Sequence, residues 1–399
     1  MNLVLLARSS AIVLAAAACT ALSFSACATT TDAEPKGEPS TGTVPESDAG
    51  LPPDAGGDSC AERDRCAAAV DCDQVDFCPI ELSISTLVTL NAVWGSGPND
   101  VWAVGTRGTI LHGDGAAFLP IAVPPTAATD IYVAVWGTSS TDVWVLGPSF
   151  PLHAAGYEGA TTTFEPREGA SWNAPKAATG RIWAGASAGG AVWLAGEESA
   201  RFGAASSFWS LGADGNGAPI WNPELACTDA QPCDPAVRGL WALDANLLFA
   251  VGRDGQTFSY DAADVTDAAP ARWLGSNSNT RDDLEAVWGS GPDDVWAVGR
   301  RGTIRHTTRG AATWTVTASP TTSDLHAVWG SGPKDVWAVG DSGTIVHFDG
   351  TSWAPATLAM PNGDLATNLY GVWGSGPDDV WIVGEGLILH RTAASRRRP

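Results

Sequence analysis

Apolar and polar positions along this sequence fall in short bursts, and the bursts repeat. Leu90 to Gly105 reads LNAVWGSGPNDVWAVG, Leu284 to Gly299 LEAVWGSGPDDVWAVG, Leu325 to Gly340 LHAVWGSGPKDVWAVG and Leu369 to Gly384 LYGVWGSGPDDVWIVG. A fifth copy, Ile131 to Gly147, keeps Trp136, Asp142 and Trp144 in register. Two worn copies lie around Trp183 and Trp193 and around Trp241 and Phe249. With the first Trp as marker, the copies fall at 94, 136, 183, 241, 288, 329 and 373. That spacing is the size of a propeller blade and far longer than a coiled-coil or collagen repeat.

Each unit divides into four strands. Strand a is the LxAVWG stretch, and strand b is DVWAVG, a short apolar run rich in β-branched residues and Trp. Ser-Gly-Pro-x-Asp between them is a tight turn, with Gly for permissive dihedrals, Pro for a fixed φ and Asp for a bond to its own backbone. Strand c is Gly-Thr-Ile-x-His, as at Gly108 to His112 and Gly343 to His347. Strand d carries an aromatic residue, assigned as Phe118, Trp172, Trp209, Trp273, Trp314 and Trp353. This division assigns every Trp except Trp221 to blade packing.

The seventh copy stops at Ile388-Leu389-His390-Arg391-Thr392, before any strand d. The first copy is preceded by Phe77-Cys78-Pro79-Ile80-Glu81-Leu82, which has no strands a to c of its own. The expected fold is therefore all-β: a seven-bladed β-propeller of four-stranded blades over residues 77–392, its last blade closed by an N-terminal strand near 77–85. Such a join removes the loose sheet edges. An open solenoid is the alternative, and it leaves the missing strand unexplained.

Composition agrees. The 399 residues are 44% hydrophobic and 17% charged, with 19 Trp, 45 Gly and 2 Met, so most of the sequence folds, and folds as strands. The formal charge of -22 repels phosphate backbones and argues against nucleic-acid binding.

The N-terminus reads as an address. Arg8 precedes apolar runs from Ala11 to Ala18 and from Ala21 to Phe24, too short and Ala-rich for a membrane span. Residues 1–26 are expected to be a signal peptide. Phe24-Ser25-Ala26-Cys27 resembles a bacterial lipoprotein box, although Phe24 stands where an aliphatic residue is usual. The resemblance implies lipidation at Cys27, with membrane attachment through that lipid alone; a cleaved signal without lipid is the alternative. Residues 27–59 hold five Pro among Thr, Ser, Gly, Asp and Glu, and are expected to be a disordered tether. Residues 393–399, with Arg396, Arg397 and Arg398, form a basic tail.

Cysteine spacing fits export. Cys60, Cys66, Cys72 and Cys78 fall at six-residue intervals in a Cys-rich segment, 60–78, and Cys227 and Cys233 form another such pair. With Cys27 lipidated, six thiols remain, an even number suited to disulfides. Cys227–Cys233 is the simplest pairing, and pairing among the first four stays open. Zinc is disfavoured, because the His residues lie elsewhere and C-x5-C is not a usual zinc spacing. No metal or other cofactor is expected.

The pattern VWAVGxxGTIxHxDGxxW is similar to tectonin-type propeller repeats. His112 to Phe118 and His347 to Trp353 also resemble the Asp-box (BNR) repeat of sialidase-like propellers, lacking one residue between Asp and Gly and the leading Ser. The resemblance implies architecture and no activity. No catalytic set stands out: the four Tyr, Tyr132, Tyr157, Tyr260 and Tyr370, come with no sialidase arginine motif, and no phosphate loop or nucleophile elbow occurs. His112, His153, His306, His347 and His390 recur one per blade, too dispersed for one metal centre, and are read as packing or turn-bonding groups. Asp100, Asp142, Asp294, Asp335 and Asp379 are read as turn formers. Asp71-x-Asp73-x-x-Asp76 and Asp214-Gly215-Asn216 lack a full calcium-loop signature.

Variation between copies is the best guide to binding. The a–b turn is nearly constant, whereas the b–c turn changes: Thr106-Arg107, Arg253-Asp254, Arg300-Arg301, Asp341-Ser342, Glu385. Arg107, Arg253, Arg300 and Arg301 on one face are the candidate ligand-binding residues, suited to an anionic glycan or acidic protein segment; solvated turns are the plainer reading. The sequence thus predicts an exported module, an outer-membrane lipoprotein or an extracellular protein, that binds or scaffolds envelope glycans or proteins without catalysis. A sialidase- or lyase-like enzyme on the same scaffold, marked by carboxylates converging with Arg or Tyr in the central funnel, is the alternative; a purely structural envelope protein is the third.

Overall fold

The computed structural model describes residues 72, 75–123, 130–147, 150–167, 181–199, 206–224, 236–262, 273–358 and 367–391. The predicted signal peptide, tether and basic tail lie outside the described residues, as do Cys27, Cys60, Cys66, Cys227 and Cys233.

A short strand, β1 (Cys78–Ile80), comes first. Blade 1 is β2 (Leu90–Gly97), β3 (Asp100–Gly105), β4 (Ile110–Gly113) and β5 (Phe118–Pro120). Blade 2 is β6 (Ala134–Ser139), β7 (Asp142–Leu146), β8 (Pro151–Ala154) and β9 (Glu165–Pro166). Blade 3 is β10 (Ile182–Ala188), β11 (Ala191–Ser199), β12 (Ser206–Ala213) and β13 (Pro219–Glu224). Blade 4 is β14 (Val237–Asp244), β15 (Leu247–Gly252), β16 (Gln256–Asp261) and β17 (Leu274–Asn277). Blade 5 is β18 (Leu284–Gly291), β19 (Asp294–Gly299), β20 (Ile304–Thr307) and β21 (Thr315–Thr317). Blade 6 is β22 (Leu325–Gly332), β23 (Asp335–Gly340), β24 (Ile345–Phe348) and β25 (Trp353–Pro355). Blade 7 has β26 (Leu369–Gly376), β27 (Asp379–Gly384) and β28 (Leu387–Arg391), and β1 completes it.

The protein is a seven-bladed β-propeller of four-stranded antiparallel blades. The expected closure is present, by a three-residue strand within 77–85: Cys78 pairs His390, Pro79 pairs Leu389 and Ile80 pairs Ile388. The innermost strands touch in ring order, β2 to β6, β10, β14, β18, β22, β26 and back to β2. Cys72 and Cys78 form a disulfide with Cα atoms 5.8 Å apart, settling one pairing the spacing had left open.

Strand b is apolar at successive positions because both its faces are covered by neighbouring blades. Val101, Trp102, Ala103 and Val104 are all fully buried. The core is accordingly a set of layers between blades, such as Trp337, Val339 and Ile345 of blade 6 against Leu369, Ile382, Leu389 and Phe77 of blade 7. In each layer the strand-b aromatic meets an aromatic at the outer strand of the next blade. Trp296 meets Trp353 at 5.4 Å between ring centres, Trp337 meets Phe77 at 5.1 Å, and Trp381 meets Phe118 at 5.3 Å, all edge to face. Edge-to-face aromatic pairs add stability beyond their buried area.

Blade 3 corrects two assignments. Trp193 pairs Ala186, as Trp102 pairs Trp94, so Ala186 stands at the marker position and Trp183 lies three residues earlier. Trp209 lies on β12, a strand c, and the unassigned Trp221 lies on β13, where it meets Trp144 of blade 2. Long hairpin strands in blade 3 displaced the pattern that short units share. In blade 2 the outer aromatic is Phe164, 5.7 Å from Trp102; Trp172 lies outside the described residues.

Candidate functional site

The inner strands set the site. Between a buried large apolar residue, Leu in four blades and Tyr132, Ile182 and Val237 in the others, and a small residue of strand a lies one position that never repeats: Asn91, Val133, Trp183, Arg238, Glu285, His326 and Tyr370. All seven are half-buried. Six of them line the central channel, a cavity of about 210 Å³. The next position is Ala or Gly in every blade, from Ala92 round to Gly371, and gives the channel an apolar throat. Space is short there: a Cβ on Gly239 would lie 2.9 Å from the Ala286 Cα. The aligned copies already show this variable position; it passes unnoticed when the repeat is read for what it shares.

The b–c turns crown the same end of the channel. Each full-length turn has two successive residues at positive φ, Arg107-Gly108, Asp254-Gly255, Arg301-Gly302 and Ser342-Gly343. Thr109 N–H donates to the Thr106 carbonyl, Thr303 to Arg300 and Thr344 to Asp341, closing tight hairpins whose twist matches the strands. The turns also stitch blade to blade. Asp254, Arg301 and Ser342 donate backbone N–H groups to the Asp283, Asp324 and Asn368 side chains of the following blade.

The four candidate arginines sit on this face but do not form one cationic cradle. Arg253 pairs with Glu197 at 3.2 Å. Arg300 lies 3.3 Å from Asp283 and 3.5 Å from Glu285, and Arg301 pairs with Asp282. Arg107 is exposed on blade 1. The side chain that reaches into the channel is Arg238, outside the sequence-based set. Its guanidinium lies 4.3 Å from the Trp183 ring centre, a cation–π stack. Its closest carboxylate, Glu197, is 3.9 Å away. Burial lowers the Arg238 pKa, while Glu285 and Glu197 favour its charge and Arg253 opposes it.

The other rim carboxylates are engaged. Asp341 meets His326 at 2.7 Å, and the Tyr370 hydroxyl donates to Glu385 at 3.2 Å. Burial chiefly raises the Tyr370 pKa. The throat thus has the small apolar lining expected of a binder, while the rim carries Glu, Arg and Tyr, the groups named for an enzyme.

The repeated His and Asp serve the frame. Asp100 accepts from Trp102 Nε1 at 3.0 Å and Ser96 Oγ at 2.6 Å, and its Oδ1 bonds His112 Nε2 at 2.9 Å. The Asp–His bond recurs as Asp142–His153, Asp294–His306, Asp335–His347 and Asp379–His390. It fastens the start of strand b to strand c in five blades. Blades 3 and 4 lack it, with Ser210 and Ser259 opposite Trp193 and Phe249. The Asp-box-like residues Asp114 and Asp349 accept two backbone N–H groups each, as turn formers do. Asp214 does the same for Asn216 and Ala218, and Asp76 is held by Thr357 and Arg391; Asp71 and Asp73 lie outside the described residues.

Comparison places the protein by fold. No family model matches it, and no curated protein matches it by sequence. Among solved structures it is similar to YCF48 from Cyanidioschyzon merolae, at 15% identity and TM-score 0.57, over 79% of this chain and 99% of that one. YCF48 bound to D1 peptide matches at 16% and 0.56, over 80% and 95%. A streptogramin B lyase matches at 14% and 0.56, over 79% and 96%. These likenesses establish a β-propeller; the tectonin and Asp-box resemblances remain at the level of short motifs.

Proposed function

We propose that this protein is an exported binding module, anchored to a bacterial envelope through lipid on Cys27, which recognises an envelope protein or glycan at the channel mouth without catalysis. One observation carries the reading. Seven different side chains occupy one position of a nearly constant repeat, and that position rims the channel. Packing explains a constant residue; a ring of unlike residues around a shared opening is what selective contact needs. YCF48 bound to D1 peptide offers a precedent for peptide binding on this architecture.

The test is retention on envelope proteins and on a glycan array, with Asn91→Ala and Tyr370→Ala as mouth variants. Retention should fall with both, and less with Arg301→Glu, whose side chain is 75% exposed on the turn rim. Retention unchanged by either mouth variant overturns the reading. Mass spectrometry of the native N-terminus tests the anchor: an unmodified or absent Cys27 removes it.

The lyase-like alternative draws on Tyr370 beside Glu385 and on Arg238 and Glu285 at the same rim. Turnover of a carbohydrate substrate, lost in Tyr370→Phe, would favour it.

A further inference from the structure

The channel mouth holds two adjacent buried donors with no acceptor, on Arg238 and Trp183. The Arg238 side chain makes no hydrogen bond among the described residues, and its Nε is buried without a partner. Trp183, on which the guanidinium stacks, also buries its indole Nε1–H without an acceptor. Arg238 and Arg253 share Glu197, at 3.9 and 3.2 Å. Glu285 and Asp283 also favour the Arg238 charge, and Arg238 and Glu285 both line the cavity of about 210 Å³. A buried donor without an acceptor costs free energy that a ligand acceptor recovers, and an ionised acceptor recovers most.

Resting on the reading of the mouth as the binding site, we propose that it receives a carboxylate carried by an extended peptide, held by Arg238. A carboxylate is planar, has acceptors only, and matches the guanidinium fork. The cavity has room for one such group with a few neighbouring atoms. A peptide fits better than a sugar because the surrounding face offers apolar footholds. Leu87 and Ile131, in the connections entering blades 1 and 2, are 70% and 50% exposed. They flank the exposed Arg107, whose neighbour Gly108 donates its N–H to the Asp130 carbonyl. The Trp183 face that would stack on a sugar is instead occupied by Arg238. The arginine that matters is then the one on strand a, not those in the turns.

The carboxylate has two sources, the free C-terminus of a peptide or an acidic residue within it. A pool of random heptapeptides with free C-termini, passed over the immobilised full-length protein, supplies probes for both. Recovered peptides are remade as C-terminal amides and, separately, with Asp and Glu changed to Asn and Gln. One of these changes should weaken binding at least tenfold and identify the source. Arg238→Gln should weaken the parent peptide similarly, Arg238→Lys less, and Arg301→Gln by less than twofold. If Arg238→Gln fails to fold, the peptide forms tested on the unaltered protein decide alone. Peptides that bind equally well in both neutralised forms overturn the carboxylate while leaving the mouth standing, provided Tyr370→Ala or Asn91→Ala weakens them. Recovery of no peptide, with an oligogalacturonate binding instead, overturns the peptide. Binding of neither, or binding indifferent to every mouth variant, overturns the site itself.

Discussion

Asp76 accepts a hydrogen bond from Arg391 Nη1 at 2.9 Å, joining residues 315 positions apart. The same carboxylate accepts from the backbone and hydroxyl of Thr357, at 2.9 and 2.6 Å. Arg391 is 6% exposed and lies over the Trp337 ring at 4.7 Å. One acidic residue thus fastens the N-terminal strand to both the last strand and blade 6. Asp76→Ala leaves the Arg391 charge buried without this partner, and should cost about 3 kcal/mol in equilibrium denaturation. A loss below about 1 kcal/mol would mean that strand pairing alone holds the ring shut.

Acid should loosen the frame through its aspartates. Burial by itself would raise the carboxyls of Asp76, Asp100, Asp335 and Asp379. The hydrogen bonds they accept, from Thr357, His112, His347 and His390 respectively, more than offset it and hold each below its ordinary value. Asp142 behaves likewise through Thr138 and His153. A carboxyl whose pKa is lower in the folded protein stabilises it above the unfolded value, near 4, and loses that contribution as pH falls through the folded value. The melting temperature should therefore drop steeply below about pH 4. Asp335→Asn should be less stable than the parent at pH 7, and the gap should narrow as the pH falls below about 4. A gap that persists undiminished would refute the linkage.

The Trp-Gly pair of strand a is a contact between blades. A Cβ on Gly330 would lie 2.6 Å from the Trp288 ring and 2.7 Å from the Asp335 carbonyl oxygen. Trp373 approaches Gly95 in the same way across the closing seam, at 2.7 Å. Gly330→Ala should cost about 2 kcal/mol by overpacking. Trp288→Phe in the same background should restore part of it, as a double-mutant cycle would show.

The disulfide Cys72–Cys78 ends on β1. Replacing both cysteines with Ser should lower stability by about 2 kcal/mol, the loop-closure value for so short a loop. Reduction of the parent should produce the same shift in the denaturation midpoint, and reduction of the double variant none.

Much of the fold was legible because a blade cannot bury its faces alone, so every copy repeats the same packing residues. The closing strand was legible for the converse reason: Phe77 had no strands a to c of its own. What misled was loss of the repeat. Trp183 mimics the marker Trp, yet it faces the channel while Ala186 takes the packing position. The mouth was harder to read because its signal is difference. Arg300 and Arg301 drew attention as a visible pair, whereas Arg238 lies in a worn copy and is recognised only when Val237 is matched to Leu90.

The pairing of β1 with β28 also orders events in time. Among the described residues, the first strand to leave the ribosome pairs within its sheet with the last one made. Such a long-range join is slow, because it waits on a large loss of conformational entropy. Until Arg391 emerges, blade 7 has an unfinished edge. A polypeptide halted partway through synthesis would hold stacked blades but no sealed circle.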